Sequence, residues 1–398
     1  MNRLLTTTSS VSIVLLLLAV SWMASGVSAG KPQQPPVYVE PYGKLVMTSS
    51  SQLMIGIYDG RVRIYDMVDG KFKHTWTGNI SANYRVYGVI GDVDNDGTKE
   101  VVAIGTTHTV TGKGKNQVHT WAREWNIWKN GDDTDSPTFS FDPGFSTDAL
   151  EIGDPDNDGK NELVIGGSPL RIWSFDSSGY TEEAKIDYIG SGGLTIADAD
   201  NDGKNEILIG MGVYNDVVDR LGHGIVLKYV NGAYSIVGDL GPANTRAQID
   251  EISVGDLDGD GKNELFGSGY AKGYIYIWKY TDGAYKQIWS KQEDSREFHQ
   301  NNEIADVNGD GKNEFAFTTL NNYTLVVFKY AGNGDWSKIG TYDNCYNNEL
   351  DAMVSADPDA DGAYELIVQD TVWDWDGSVM KQIQDLNENG SADDVSVA

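Results

Sequence analysis

Short apolar runs recur along the chain, each bounded by glycine or aspartate. They are VVAIG from Val101, LVIGG from Leu163, ILIGM from Ile207, LFGSG from Leu265, FAFTT from Phe315 and LIVQD from Leu366. Runs this short and unbroken predict strands buried on both faces, because a helix is longer and shows a polar stripe. About ten residues further comes an aromatic strand: LRIWSF ending at Phe175, YIYIWKY ending at Tyr280, TLVVFKY ending at Tyr330. A turn such as Asn231-Gly232 or Asp282-Gly283 follows, both strong hairpin signals, and then a last strand, as in AYKQIWS from Ala284.

Ahead of each apolar run stands a nine-residue loop of pattern D-x-[DN]-x-D-G-x-x-E. Six loops fit it: Asp92–Glu100, Asp154–Glu162, Asp198–Glu206, Asp256–Glu264, Asp306–Glu314 and Asp357–Glu365. A seventh, Asp385–Asp393 (DLNENGSAD), keeps the register with asparagine at two ligand positions. First aspartates lie 62, 44, 58, 50, 51 and 28 residues apart. Units near 50 residues with four strands predict propeller blades.

The two ends look like parts of one blade. Residues 44–78 show three strands, around LMIGIY, VRIYDM and FKHTWT, with no acidic loop before them. The C-terminus offers a loop and a short strand, Asp394–Ala398, with nothing after. Joined, they make a complete blade and hide the sheet edges of an open ring. The expectation is an all-β, seven-bladed β-propeller over residues 44–398, closed by pairing of the N- and C-terminal segments. Six blades is the rival count.

The loop spacing suits a hard divalent cation. Calcium takes six to eight oxygen ligands, and alternate side chains in a tight loop can converge on one ion. Positions 1, 3, 5 and 9 offer side-chain oxygens and position 7 its backbone carbonyl, while glycine at position 6 permits the reversal. The candidate ligands are Asp92, Asp94, Asp96, Thr98 and Glu100 in the first loop, and Asp154, Asp156, Asp158, Lys160 and Glu162 in the second. They are Asp198, Asp200, Asp202, Lys204 and Glu206 in the third, and Asp256, Asp258, Asp260, Lys262 and Glu264 in the fourth. The fifth offers Asp306, Asn308, Asp310, Lys312 and Glu314, and the sixth Asp357, Asp359, Asp361, Ala363 and Glu365. The weaker seventh offers Asp385, Asn387, Asn389 and Asp393. The expected cofactor is about six to seven calcium ions with a structural role. An EF-hand is excluded, since its position 12 needs a bidentate glutamate and here holds Ala103, Ile165, Ile209, Gly267, Phe317 and Val368.

On these loops the chain resembles the calcium-binding propellers of the FG-GAP and VCBS repeat families, which include the N-terminal domain of integrin α subunits. The resemblance implies calcium on one face of the ring and extracellular recognition or adhesion. It departs from the family pattern in having glutamate at position 9 of six loops, and in lacking clear Phe-Gly and Gly-Ala-Pro motifs.

Charge and the termini narrow the setting. Of 398 residues 59 are acidic and 30 basic, a net charge of −29, which excludes a general affinity for nucleic acid or anionic membrane. Arg3, the apolar Val11–Val20 and Val27-Ser28-Ala29 predict a signal peptide over 1–29. A Pro-rich linker over 30–43 follows, and the mature chain has no second apolar segment to insert in a membrane. The protein is expected to be secreted or at the cell surface. Cys345 stands alone, so no internal disulfide staples the fold; a buried small residue is its expected role.

Candidate ligand residues lie where blades join, on the face away from the acidic loops. That face collects segments of varied length: 106–116, 211–224, 241–248, 292–301 and 342–348. Arg246, Arg296, His299 and Tyr346 are the candidates, with Trp121 and Tyr214 at the margin. Trp125 and Trp128 fall at core positions of the aromatic strand. No nucleophile, zinc or phosphate-loop motif is present. The reading is a non-enzymatic recognition or adhesion propeller for an extracellular glycan or protein. The alternatives are a secreted polysaccharide-active enzyme such as a lyase, and a structural envelope or matrix component.

Overall fold

The computed structural model describes residues 42–386 apart from 44, 49–51, 58–59, 70, 84, 130–136, 142–148, 168, 177–178, 188–192, 211–221, 242–248, 269–272, 294–297, 320–323, 344, 346–352, 358, 360 and 369–370. The predicted signal peptide and most of the predicted linker lie outside these residues. The last two residues of that linker, Tyr42–Gly43, instead form a short strand pairing in parallel with Arg85 and Val86. Among the described residues no helix is long and apolar enough to cross a membrane.

The strands form seven sheets, each an antiparallel run of four consecutive strands, with Tyr42–Gly43 added to the second. The first sheet holds Leu45–Thr48, Gln52–Ile57, Arg61–Val68 and Lys71–Asn79. The second holds Arg85–Gly91, Glu100–Thr111, Val118–Lys129 and Phe139–Phe141. The others begin at Leu150–Gly153, Leu194–Ala197, Glu251–Gly255, Phe298–Ala305 and Met353–Ala356. These first strands meet in cyclic order, and that of the seventh sheet touches that of the first. This is a β-propeller, and its sheets give the seven-blade count.

The core is divided into seams between blades. Trp125, Ile127 and Val102 of the second blade pack on Leu150, Leu163 and Trp173 of the third. Phe266 and Ile277 of the fifth pack on Phe315, Phe317 and Phe328 of the sixth. Second strands touch a seam on each face, so Leu163–Ile165 and Ile207–Ile209 are buried without alternation, as the unbroken apolar runs predict. In six blades the ladder between third and fourth strands slips at one equivalent place, at Ile64/Tyr65, Ile172/Trp173, Val226/Leu227, Ile277/Trp278, Val327/Phe328 and Val372/Trp373. A bulge increases local twist, which turns each outer strand away from its neighbour. Asn231-Gly232 and Asp282-Gly283 have positive φ at both residues, as a type I′ hairpin requires.

The closure differs from the expected one. The first blade draws all four strands from the N-terminal segment, with Leu45–Thr48 as its inner strand, so no C-terminal strand is needed. Asp385 ends the outer strand Met380–Asp385 of the seventh blade and pairs with Thr371. It does not follow an inner strand, as the first aspartates of the six loops do. The rest of the expected seventh loop, with Asn387, Asn389 and Asp393, lies outside the described residues. The closing seam is instead lateral: Tyr65 and Phe72 of the first blade pack with Ile367, Val372 and Leu386. The Gln384 amide grips the Phe72 backbone, accepting from its N–H at 3.1 Å and donating to its carbonyl at 2.7 Å.

Leu386 is fully buried in that seam, whereas Ile236 lies half exposed on an outer strand. Leu386→Ala is expected to cost about 2–5 kcal/mol of unfolding free energy, and Ile236→Ala under about 0.5 kcal/mol. Denaturant titration of the two variants checks this.

Candidate functional site

The six complete acidic loops all join the first and second strands of a blade. They therefore share one face of the ring, and each is built to one plan. In the first five loops the aspartate at position 1 gives both oxygens to the backbone; in the sixth only Asp357 Oδ2 accepts, from the Gly362 N–H at 3.2 Å. Asp154 Oδ1 accepts from the Asp158 N–H at 3.0 Å and Oδ2 from the Gly159 N–H at 2.9 Å. The same pair recurs at Asp92, Asp198, Asp256 and Asp306. Position 3 uses one oxygen to accept from the position 5 N–H, and position 5 uses one to accept from position 7. Examples are Asp200 with Asp202 at 3.2 Å and Asp202 with Lys204 at 3.1 Å. The other oxygens of positions 3 and 5 are left for the loop centre. Glycine at position 6 has φ of 82–93° in all six loops.

Glutamate at position 9 begins the buried second strand, so its carboxylate enters the loop from below. Where position 2 has an N–H, it donates to this carboxylate: Val93 to Glu100 at 3.1 Å, Ala199 to Glu206 and Leu257 to Glu264 at 2.9 Å, Val307 to Glu314 at 3.2 Å. Burial still dominates and disfavours the charged form. It pushes Glu100 up to about 7 and Glu162, Glu314 and Glu365 up to about 8, and raises Glu206 and Glu264. Carboxylate oxygens converge within 4.8 Å at Asp92, Asp94 and Asp96; Asp154, Asp156 and Glu162; Asp198, Asp200 and Glu206; Asp256, Asp258 and Asp260; and Asp357, Asp359 and Asp361. Buried oxygens of Glu162, Asp357 and Glu365 have no hydrogen-bond partner. An all-oxygen set with unsatisfied buried carboxylates fits a hard divalent cation.

Three loops hold a protein cation that reading the loops alone misses. Lys228 Nζ lies 2.6 Å from Asp200, 2.8 Å from Asp202 and 2.6 Å from Glu206. Lys279 Nζ lies 3.0, 2.7 and 2.5 Å from Asp258, Asp260 and Glu264. Lys129 pairs with Asp94 at 2.9 Å and with Asp96. All three stand on third strands, opposite the position 9 glutamate. They hold Asp96, Asp202 and Asp260 below the usual carboxylate range through hydrogen bonds. The repeated hydrophobe-Lys pairs at 128–129, 227–228, 278–279 and 328–329 were the signal available, and the first three of these lysines enter their loops.

Asparagines tie loop to loop. Asn95, Asn157 and Asn201 at position 4 accept from the N–H of the next loop's position 8, Asn161, Asn205 and Asn263, at 2.6–2.7 Å. Each of those asparagines donates back to the carbonyl of the earlier loop's first aspartate, at 2.9–3.0 Å. The position 4 residues sit at φ of 59–65°, a conformation asparagine tolerates and most residues resist.

Of the candidate ligand residues, Arg246, Arg296, Tyr214 and Tyr346 lie outside the described residues, and His299 is placed only as part of the strand Phe298–Ala305. Trp121 is described. The segment from Thr106 is regular: Glu100–Thr111 and Val118–Lys129 form a long hairpin with its tip at Gly112–Gln117, opposite the acidic loops. Trp121 pairs across it with His108, the rings 3.9 Å apart and nearly parallel, and His108 Nε2 lies 2.9 Å from His119 Nδ1. Asn83 brackets the His108 backbone, accepting at 2.7 Å and donating at 3.2 Å. Trp121 is 41% exposed, whereas Trp125 and Trp128 are buried in seams. Cys345 is buried, and burial pushes its thiol up to about 12.

No curated protein matches the sequence. Among solved structures, the rhamnogalacturonan lyase YesW is similar over 86% of this chain and 64% of its own, at 16% identity and a TM-score of 0.49. The rhamnogalacturonan lyase PL11 of Bacillus licheniformis is similar over 87% and 67%, at 16% and 0.46. This chain thus spans about two thirds of the length of those lyases. BBS1N, solved in complex with ARL6DN, is similar over 80% and 85%, at 11% and 0.51, a likeness of fold alone. Residues 256–317 match the FG-GAP-like repeat, a window running from the fourth acidic loop to the strand after the fifth. The chain is a β-propeller carrying an FG-GAP-like repeat.

Proposed function

We propose that the protein is an exported recognition propeller, stabilised by calcium in its acidic loops, that binds an extracellular glycan or protein through the face opposite those loops. The observation that carries the binding reading is the Trp121–His108–His119 stack. A flat, part-exposed aromatic surface, pinned by Asn83 and raised on a hairpin, suits stacking on a sugar ring or an aromatic side chain. The N-terminal apolar segment supports export. For calcium, the support is the oxygen-only donor set and its unsatisfied buried carboxylates; Asp154, Asp156 and Glu162 illustrate which side chains would hold the ion. Bound there, it would supply the positive charge that offsets their repulsion. At tenfold excess over its dissociation constant, an ion adds about 1.4 kcal/mol per site.

The metal reading predicts a pH dependence of definite sign. In the metal-free fold Glu100 titrates near 7 and Glu162, Glu314 and Glu365 near 8, against an ordinary value of 4.5. Between those values the folded chain keeps protons that the unfolded chain has released, so stability falls as pH rises. The melting temperature in chelator is expected to fall from pH about 5 to about 8. Calcium should raise the melting temperature and flatten that fall. Identical melting curves with and without calcium would exclude the stabilising role.

For the ligand, a glycan array and a polysaccharide-cleavage assay, both with calcium present, identify the class. Trp121→Ala is expected to weaken the retained ligand roughly tenfold without shifting the melting temperature, while Ile236→Ala leaves binding unchanged. Undiminished binding by folded Trp121→Ala places the ligand elsewhere. Cleavage of the retained polysaccharide makes the protein an enzyme.

A further inference from the structure

The six complete loops are not equivalent, and the differences in donors and in charge fall on the same two. The first is position 2. It carries an N–H that satisfies the position 9 glutamate in four loops, but it is Pro155 in the second loop and Pro358 in the sixth, and proline has no N–H to give. The second difference is the residue facing that glutamate across the sheet. Lys129, Lys228 and Lys279 face Glu100, Glu206 and Glu264. The ladders end at Leu163–Trp173 and Leu366–Trp373, and one further step in the same register sets Ser174 opposite Glu162 and Asp374 opposite Glu365. Neither can offer an ammonium group. In the fifth loop the Asn308 amide itself donates to Glu314.

The third difference is charge. Where the lysine loops gain a cation, the other two gain repulsion, from Glu183 on Glu162 and from Asp374 on Glu365. Glu162 and Glu365 are each only 2% exposed. Glu162 Oε2, Glu365 Oε2 and Asp357 Oδ1 have no hydrogen-bond partner, as is true of Glu206 Oε1 and Glu264 Oε1, but those last two lie 2.6 and 2.5 Å from a lysine ammonium. A buried carboxylate lacking both donor and counter-charge is costly. Here the cost falls where the oxygens already converge, and a divalent cation removes it.

We propose that the chain carries two grades of acidic loop: Asp154–Glu162 and Asp357–Glu365 bind a divalent cation tightly, whereas Lys129, Lys228 and Lys279 are tethered cations that an ion must displace from the other acidic centres they occupy. The inference rests on the calcium reading above and refines it. In the lysine loops the ammonium takes the second oxygens of positions 3 and 5, the oxygens a metal would use. Binding there must first break two or three ion pairs, which lowers affinity at least tenfold. The Asp306–Glu314 loop, with Asn308 for an aspartate, falls in the weaker grade.

The test is calorimetric titration of calcium into the full chain after chelator treatment and dialysis. Wild type is expected to show two tight sites, separated by tenfold or more from a weaker class. Lys279→Met keeps the apolar stem and removes the charge, and should raise the tight count to three. Ser174→Lys installs an ammonium opposite Glu162 and should lower it to one. Near-ultraviolet circular dichroism in calcium confirms that both variants are folded. The two substitutions shift the count in opposite directions, so loss of fold in one leaves the other decisive. Six sites of one affinity in wild type, or an unchanged tight count in the folded variants, overturns the two grades while leaving calcium binding intact. No calcium uptake by wild type overturns the calcium reading itself.

Discussion

In five of the six complete acidic loops an aspartate at position 1 gives both carboxylate oxygens to backbone N–H groups four and five residues on, and in the sixth Asp357 engages one. That interaction bends the chain into a loop, and the bend brings the side chains of positions 3, 5 and 9 together. Convergence creates a second problem, since carboxylates with oxygens within 4.8 Å repel one another, and the position 9 glutamate is buried. The available donors show how the problem is met. Backbone N–H groups satisfy one oxygen of position 3 and one of position 5. The remaining oxygens face a lysine ammonium in three loops. In those three loops one oxygen of each position 3 and position 5 carboxylate builds the loop and the other faces a positive charge.

The loops in turn help to align the blades. The hydrophobic core is divided among seams, and apolar packing fixes how close two sheets lie better than how they slide. The paired asparagines supply direction. Asn157 and Asn205 bind backbone groups at defined places on neighbouring loops, so the first strands of successive blades are held at matching heights. Where glycine replaces asparagine at position 4, as at Gly259, the reverse link remains: Asn313 still donates to the Asp256 carbonyl at 3.1 Å. At the sixth loop the Tyr364 N–H reaches the Asp306 carbonyl at 2.8 Å without any asparagine. The backbone geometry, more than the side chain, is what recurs.

Much of this was legible in the sequence because it is local. The acidic pattern, the unbroken apolar runs and the Asn-Gly and Asp-Gly turns each depend on residues close together in the chain. They located the loops and strands of six blades and the buried tryptophans 125 and 128. What was not legible depends on pairing register. A lysine in a strand reads as a solvated side chain until the ladder sets it opposite a buried glutamate some 15–30 residues earlier. The first blade was misread for a related reason. Its inner strand, Leu45–Thr48, is only four residues long, and a run that short carries little periodicity. An acidic nine-residue stretch near the C-terminus imitates the missing piece. Pro155 and Pro358 fall at a variable position of the loop pattern, and what they change is a donor withheld from a residue seven positions away.

The contrast between loops also shows what a bound ion would and would not have to do. The Asp154–Glu162 loop has its hydrogen-bonded frame complete, with both Asp154 oxygens engaged. It is pinned on one side through Asn95 and Asn161 and on the other through Asn157 and Asn205. Both neighbouring loops are lysine-filled, so their own carboxylates are already compensated. An ion entering between them would order little backbone, and little of its binding free energy would go into arranging ligands. Its main effect would be electrostatic, offsetting repulsion that the fold holds in place. A loop whose frame needed the ion would couple metal to folding, as in small metal-dependent domains. A loop already framed couples metal to stability alone, and that matches a ring in which every blade must be in place before the last seam can close.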